Sequence, residues 1–121
     1  MSAPILLIDE DAAIRQLVNT TLRDEGYNVV TMGDGRSALY MLQSSQASLI
    51  LLNSAPLQSA DETFVDSYRR MPGPHAPIVL FTASPQGARR AALLDVDGVL
   101  AKPYDVQDLL SVAQRYAPKA E

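Results

Sequence analysis

The chain has 121 residues, 47% of them hydrophobic and 20% charged, which excludes a disordered or fibrous protein. A chain of this length buries roughly two thirds of its unfolded surface, enough for one core, so residues 1–121 are expected to form a single domain. The net charge of −4 argues against a counterion-driven grip on nucleic acid, and the absence of cysteine excludes disulfide and thiolate chemistry.

Short apolar runs alternate along the chain with longer segments of helical period, the pattern of βα units on a parallel sheet. Pro4 to Ile8 predicts a first strand; it is far too short for a membrane span and no basic stretch precedes it, so a cytoplasmic protein without a signal peptide is expected. Ile14, Leu17, Val18, Thr21 and Leu22 recur at i, i+3, i+4, i+7 and i+8, giving the first helix an apolar stripe that Gly26 terminates. Asn28 to Met32 predicts the second strand, and Asp34 caps a second helix carrying Ala38, Met41 and Leu42 inward. Leu49 to Leu52 predicts the third strand. A weaker helical pattern follows from Asp61 to Arg70, with Phe64 and Tyr68 on one face.

Pro72, Gly73, Pro74 and Pro77 punctuate the loop before the fourth strand, Ile78 to Phe81. Ser84-Pro85 then starts a fourth helix, since Ser caps free N–H groups and Pro at the first helical position has none to lose; Ala88, Ala91 and Ala92 are its packing candidates. Gly98 to Ala101 predicts the fifth strand. The last helix begins at Asp105, buries Val106, Leu109, Leu110 and Ala113, and ends at Pro118.

The first, third and fourth strands are almost wholly apolar and so belong at the sheet centre. Right-handed crossovers make the whole a doubly wound five-stranded parallel sheet with five helices on its two faces, and sites in such sheets form at the carboxyl ends of the strands. That edge collects Asp9 and Glu10, Asn53, Thr82, and Lys102 before Pro103. Two carboxylates beside an amide oxygen make a hard, oxygen-rich pocket of the kind Mg²⁺ accepts, and a lysine and a hydroxyl opposite suit a phosphoryl group.

Here the residues carry a family resemblance. Ile5 to Asp11 resembles the first strand and acidic pair of response-regulator receiver domains, Thr82-Ala83 and Lys102-Pro103 resemble their fourth- and fifth-strand signatures, and Gly33 to Leu39 resembles their second-helix start. The likeness covers nearly the whole chain and implies the flavodoxin-like receiver fold, in which a histidine kinase phosphorylates an aspartate at the end of the third strand. It further implies that Asp9 and Glu10 hold Mg²⁺, that Lys102 contacts phosphoryl oxygens, and that Thr82 and Ala83 complete the phosphoryl pocket. The matching acceptor position in this chain is Asn53. An amide is neither a competent nucleophile nor a strong cation ligand, so phosphorylation there should be lost and Mg²⁺ should bind weakly. Val99 stands where the family carries an aromatic switch residue, and Ser54 to Asp61 departs from the family's usual loop.

Each feature has a plainer reading. Asp9, Glu10 and Asp11 suit a solvated helix start, Thr82 suits a strand end, Asn53 suits a turn, and Lys102 suits the surface. Gly33, Gly35 and Ala38 match a loosened dinucleotide fingerprint, but they follow the second strand with no ribose-binding acid beyond. An FMN site would need a phosphate loop where Asp9-Glu10-Asp11 stands, and His75 has no second His or Cys for a transition-metal site.

The sequence therefore predicts a non-enzymatic, phosphorylation-independent receiver that binds a signalling protein such as a histidine kinase or a downstream effector, with no direct contact to nucleic acid or membrane. Arg89, Arg90, Val99, Tyr104 and Gln107 are its candidate partner face. The alternative is a conventional phosphoacceptor, with Asn53 an engineered replacement or with Asp9, Asp11 or Asp61 used in its place.

Overall fold

A computed structural model describes residues 3–53, 59–83 and 85–118, without the side chains of residues 59, 60 and 90. Strands and helices alternate as β1 (Ile5–Asp9), α1 (Ala12–Asp24), β2 (Val29–Met32), α2 (Gly35–Leu42), β3 (Leu49–Asn53), α3 (Ser59–Arg70), β4 (Ile78–Thr82), α4 (Pro85–Leu93), β5 (Gly98–Ala101) and α5 (Val106–Tyr116). The strands form one parallel sheet in the order β2-β1-β3-β4-β5, so the three apolar strands are central, as expected.

Side chains alternate across each strand and thus divide the core in two. Ile5, Leu7, Leu49, Leu51, Val79 and Phe81 pack toward Val18 and Leu22 of α1 and Leu109, Leu110 and Ala113 of α5. Leu6, Ile8, Ile50, Leu52, Ile78 and Leu80 pack toward Ala38 and Leu42 of α2, Phe64, Val65 and Tyr68 of α3, and Ala91 of α4.

Caps fix where helices begin. Asp11, Asp34 and Asp105 precede α1, α2 and α5 in extended conformation and accept first-turn backbone N–H groups. Gly26 follows α1 at φ 94°, a left-handed conformation that favours glycine. Ser84, expected to cap α4, lies outside the described residues.

Three packing expectations need correction. On α1 the buried stripe is centred between Val18 and Leu22, which leaves Ile14 on its margin and Leu17 on its flank, 66% exposed. Val106 shares the buried face of α5 by helical spacing, but it sits in the first turn, beside the Asp105 cap, and is 55% exposed. On α4 only Ala91 of the three alanines is buried, while Leu93 is 86% exposed. The short α4 meets little but β4.

Candidate functional site

Strand ends position the site. β1, β3 and β4 each run one residue beyond the apolar stretch, so Asp9, Asn53 and Thr82 are final strand residues rather than loop residues. The parallel register places Asp9 opposite Asn53 and Asn53 opposite Phe81. Period-two alternation turns all three side chains to the α1/α5 face, whereas Thr82 takes the opposite one.

Asp9 is 4% exposed and Asn53 6% exposed. The Asn53 Nδ2–H donates to Asp9 Oδ2 at 2.6 Å, and the backbone N–H of Asp11 donates to Asp9 Oδ1 at 2.9 Å. The opposite amide orientation would press Oδ1 against a carboxylate oxygen, two acceptors with no proton between them. The Asn53 Oδ1 is buried and has no hydrogen-bond partner among the described residues. Arg15 Nη1 donates to the Asp9 backbone carbonyl at 2.7 Å, adding a cation to the same strand end.

The remaining candidates divide by role. Asp11 is absorbed into helix capping, its Oδ1 accepting from the N–H groups of Ala13 and Ile14, while Glu10 is exposed. Thr82 is buried beside Ala101, Lys102 is half-buried, and the Lys102 N–H donates to the Thr82 carbonyl at 2.8 Å. Ala83 is exposed at the bend after β4. Arg89, Val99 and Gln107 are exposed on α4, β5 and α5, and the Arg90 side chain lies outside the described residues.

Tyr104 does more than the sequence suggested. Its half-buried ring meets Phe81 edge-on at 5.3 Å between centroids. Burial first, and the negative charge of Asp9 second, raise its phenol above the ordinary value of 10.0. Asp9, Asn53, Phe81 and Tyr104 thus form a row across the sheet from β1 to the loop after β5. The available signal was the register of the apolar runs, which sets Phe81 beside Asn53.

Receiver domains commonly bind Mg²⁺ at this edge, but the side chains here fit it poorly. Both Asp9 oxygens already accept N–H donors, Asn53 directs the positive arm of its amide at the carboxylate, and Asp11 is occupied as a cap. Among the described residues no group of three acidic, histidine or cysteine side chains is arranged to hold a metal ion.

A cleft of about 490 Å³ opens at the opposite edge of the sheet, between the loops that follow α2 and α3. His75 lines it, donating from Nε2 to the Met71 carbonyl at 2.7 Å and meeting the Tyr68 ring edge-on. None of its described lining residues is Asp, Glu, Lys or Arg.

The architecture defines a doubly wound, flavodoxin-like α/β protein whose polar residues gather at the carboxyl edge of the sheet. The family model of the response regulator receiver domain matches residues 5–114, and the chain belongs to that family. It is 32% identical over 113 residues to the response regulator MprA of Mycolicibacterium vanbaalenii and 33% identical to MprA of Mycobacterium tuberculosis, each match covering 92% of this chain. These matches cover 48% and 49% of the relatives, so the chain spans about half the length of the curated relatives it matches. Among solved structures it resembles the chemotaxis response regulator CheY4 of Vibrio cholerae, with 32% identity, a TM-score of 0.81, and coverage of 95% of this chain and 98% of that one. A receiver domain from Methylobacillus flagellatus shares the fold, with a TM-score of 0.81 at 17% identity and coverage of 95% and 98%. The chain is therefore a receiver of two-component signalling, and no described helix is long and apolar enough to cross a membrane.

Proposed function

We propose that this receiver is silenced as a phosphoryl acceptor and works as a phosphorylation-independent protein-interaction module. The observation that carries the reading is the side chain of Asn53, at the carboxyl end of the central strand β3, donating its amide to Asp9 at 2.6 Å. An aspartate there would present an anionic oxygen to an incoming phosphorus; the amide nitrogen has a delocalised lone pair and spends its proton on a neighbouring carboxylate.

Substitute acceptors are poorly placed. Asp9 is buried with both oxygens hydrogen-bonded, and Asp11 caps α1. Asp61 lies in the first turn of α3 rather than at the end of a strand.

For the partner surface, α4, β5 and α5 each leave one large aliphatic side chain exposed: Leu93, Val99 and Val106. Exposed Arg89 and Gln107 add polar contacts on the same elements. Such a mixed surface suits another signalling protein, a histidine kinase or an effector.

The test is intact mass after incubation with Mg²⁺ and acetyl phosphate, run beside Asn53→Asp. A phosphoryl adduct on the variant alone supports the silenced module. An adduct on the unaltered chain overturns it and restores a conventional acceptor.

A further inference from the structure

A buried carboxylate requires a compensating positive partner, and Asp9 is almost fully buried at the centre of the sheet edge. Its family supplies that partner as a divalent cation. In this chain the compensation comes from N–H groups: Nδ2 of Asn53 on one oxygen at 2.6 Å and the Asp11 backbone on the other at 2.9 Å. Hydrogen bonds from N–H to an ionised carboxylate are short and about twice as strong as neutral ones.

We infer that the Asn53 amide replaces the cation at this edge, so that the pocket is held together without metal and does not respond to Mg²⁺. This rests on the reading of Asn53 as a silenced acceptor position and deepens it, because it fixes how the site is regulated: the receiver keeps one state whether or not the ion is present.

Geometry makes the two partners exclusive. For an ion to bridge Asp9 and Asn53, the amide would have to turn its oxygen toward the carboxylate, giving up the 2.6 Å bond. In the orientation present, Nδ2 occupies the Asp9 side and Oδ1, which has no hydrogen-bond partner among the described residues, is the other arm of the amide, so the two groups cannot chelate together. Among the described residues, Asp11 commits its Oδ1 to the α1 cap and Glu10 is a single exposed carboxylate, so neither replaces the lost Asp9–Asn53 pair. Mg²⁺ gives up its own waters reluctantly and demands near-ideal octahedral geometry, which sharpens the discrimination.

The inference is tested by thermal unfolding of the unaltered chain, Asn53→Asp and Asn53→Ala, each without and with MgCl₂. Ligand binding to the native state raises the midpoint by mass action, so at about 10 mM Mg²⁺ the unaltered chain should shift by less than about 1 °C and Asn53→Asp by about 4 °C or more. An unaltered chain that gains as much as Asn53→Asp overturns the inference; so does an Asn53→Asp chain that gains nothing, because the amide is then not what keeps Mg²⁺ away.

Should Asn53→Asp fail to fold, the unaltered chain decides alone. Its Asn53 side-chain NH₂ resonances should escape selective broadening by Mn²⁺, and selective broadening there sinks the idea. The phosphoryl-mass experiment separates the two layers. A chain that binds Mg²⁺ yet gains no phosphoryl mass ends this inference and spares the silenced acceptor, whereas a chain that gains mass ends the reading beneath it.

Discussion

Asn53 and Asp9 are joined side chain to side chain at 2.6 Å because the parallel register makes them neighbours at the ends of adjacent strands. Asn53→Ala removes the donor and keeps the buried carboxylate. A buried polar group left without its partner costs about 1–3 kcal/mol. Urea unfolding should show a loss in that range with an unchanged m value; a loss near zero would mean that water or Arg15 takes over the carboxylate.

Tyr104 provides a readout of the same edge. Its phenol is raised above 10.0 by burial and then by Asp9, so the native state holds the proton more tightly than the unfolded chain. The sign follows from linkage: the associated stability is fully present below the unfolded value and is lost as pH rises through the folded one. Phenolate absorbance should titrate Tyr104 above an ordinary tyrosine, with Tyr104→Phe identifying the signal. Asp9→Asn should move the titration part of the way back, leaving the share due to burial. No movement would place Asp9 out of electrostatic reach.

α5 is anchored by a reciprocal cap, in which Asp105 Oδ1 accepts from the Asp108 N–H at 2.9 Å and Asp108 Oδ2 accepts from the Asp105 N–H at 3.1 Å. Asp105→Ala should destabilise the protein by about 0.5–2 kcal/mol, the usual range for a lost N-cap. Asp105→Asn should recover most of it, since an amide oxygen still accepts. Equal losses in the two variants, measured by chemical denaturation, would show that charge rather than capping matters.

Arg69 ties α3 to the chain following α4, with Nη1 donating to the Leu94 carbonyl and Nη2 to the Asp95 carbonyl. A lysine is a point charge and cannot hold two carbonyls as a planar fork does. Arg69→Lys should therefore cost about 1–2 kcal/mol, and hydrogen exchange should quicken first near Asp95 and Val96. Uniform acceleration across the sheet would argue against a local clasp.

Much of this is legible in the amino-acid sequence. Runs such as Leu49 to Leu52 and Ile78 to Phe81 are apolar on both faces, which sets their central place, and Asp34 and Asp105 announce helix starts through the chemistry of their side chains. The strand ends at Asp9, Asn53 and Thr82 were visible as the places where hydrophobicity stops. Helix rotation was harder, because Ile14, Leu17 and Val106 fit the period, yet position on the sheet decides which of them meets a neighbour. Tyr104 reads as a surface candidate in one dimension; only pairing of Asn53 with Phe81 brings it toward the acidic edge. The direction of the Asn53 amide is likewise a property of two strands, not of either one.

The sheet, and not the side chains themselves, holds positions 9 and 53 together, so exchanging the amide for a carboxylate leaves the register untouched. Asparagine and aspartate codons differ in their first base alone. A single transition in the gene therefore separates this receiver from one with an anionic oxygen at the end of β3, and the rest of the fold can be inherited in either condition without change.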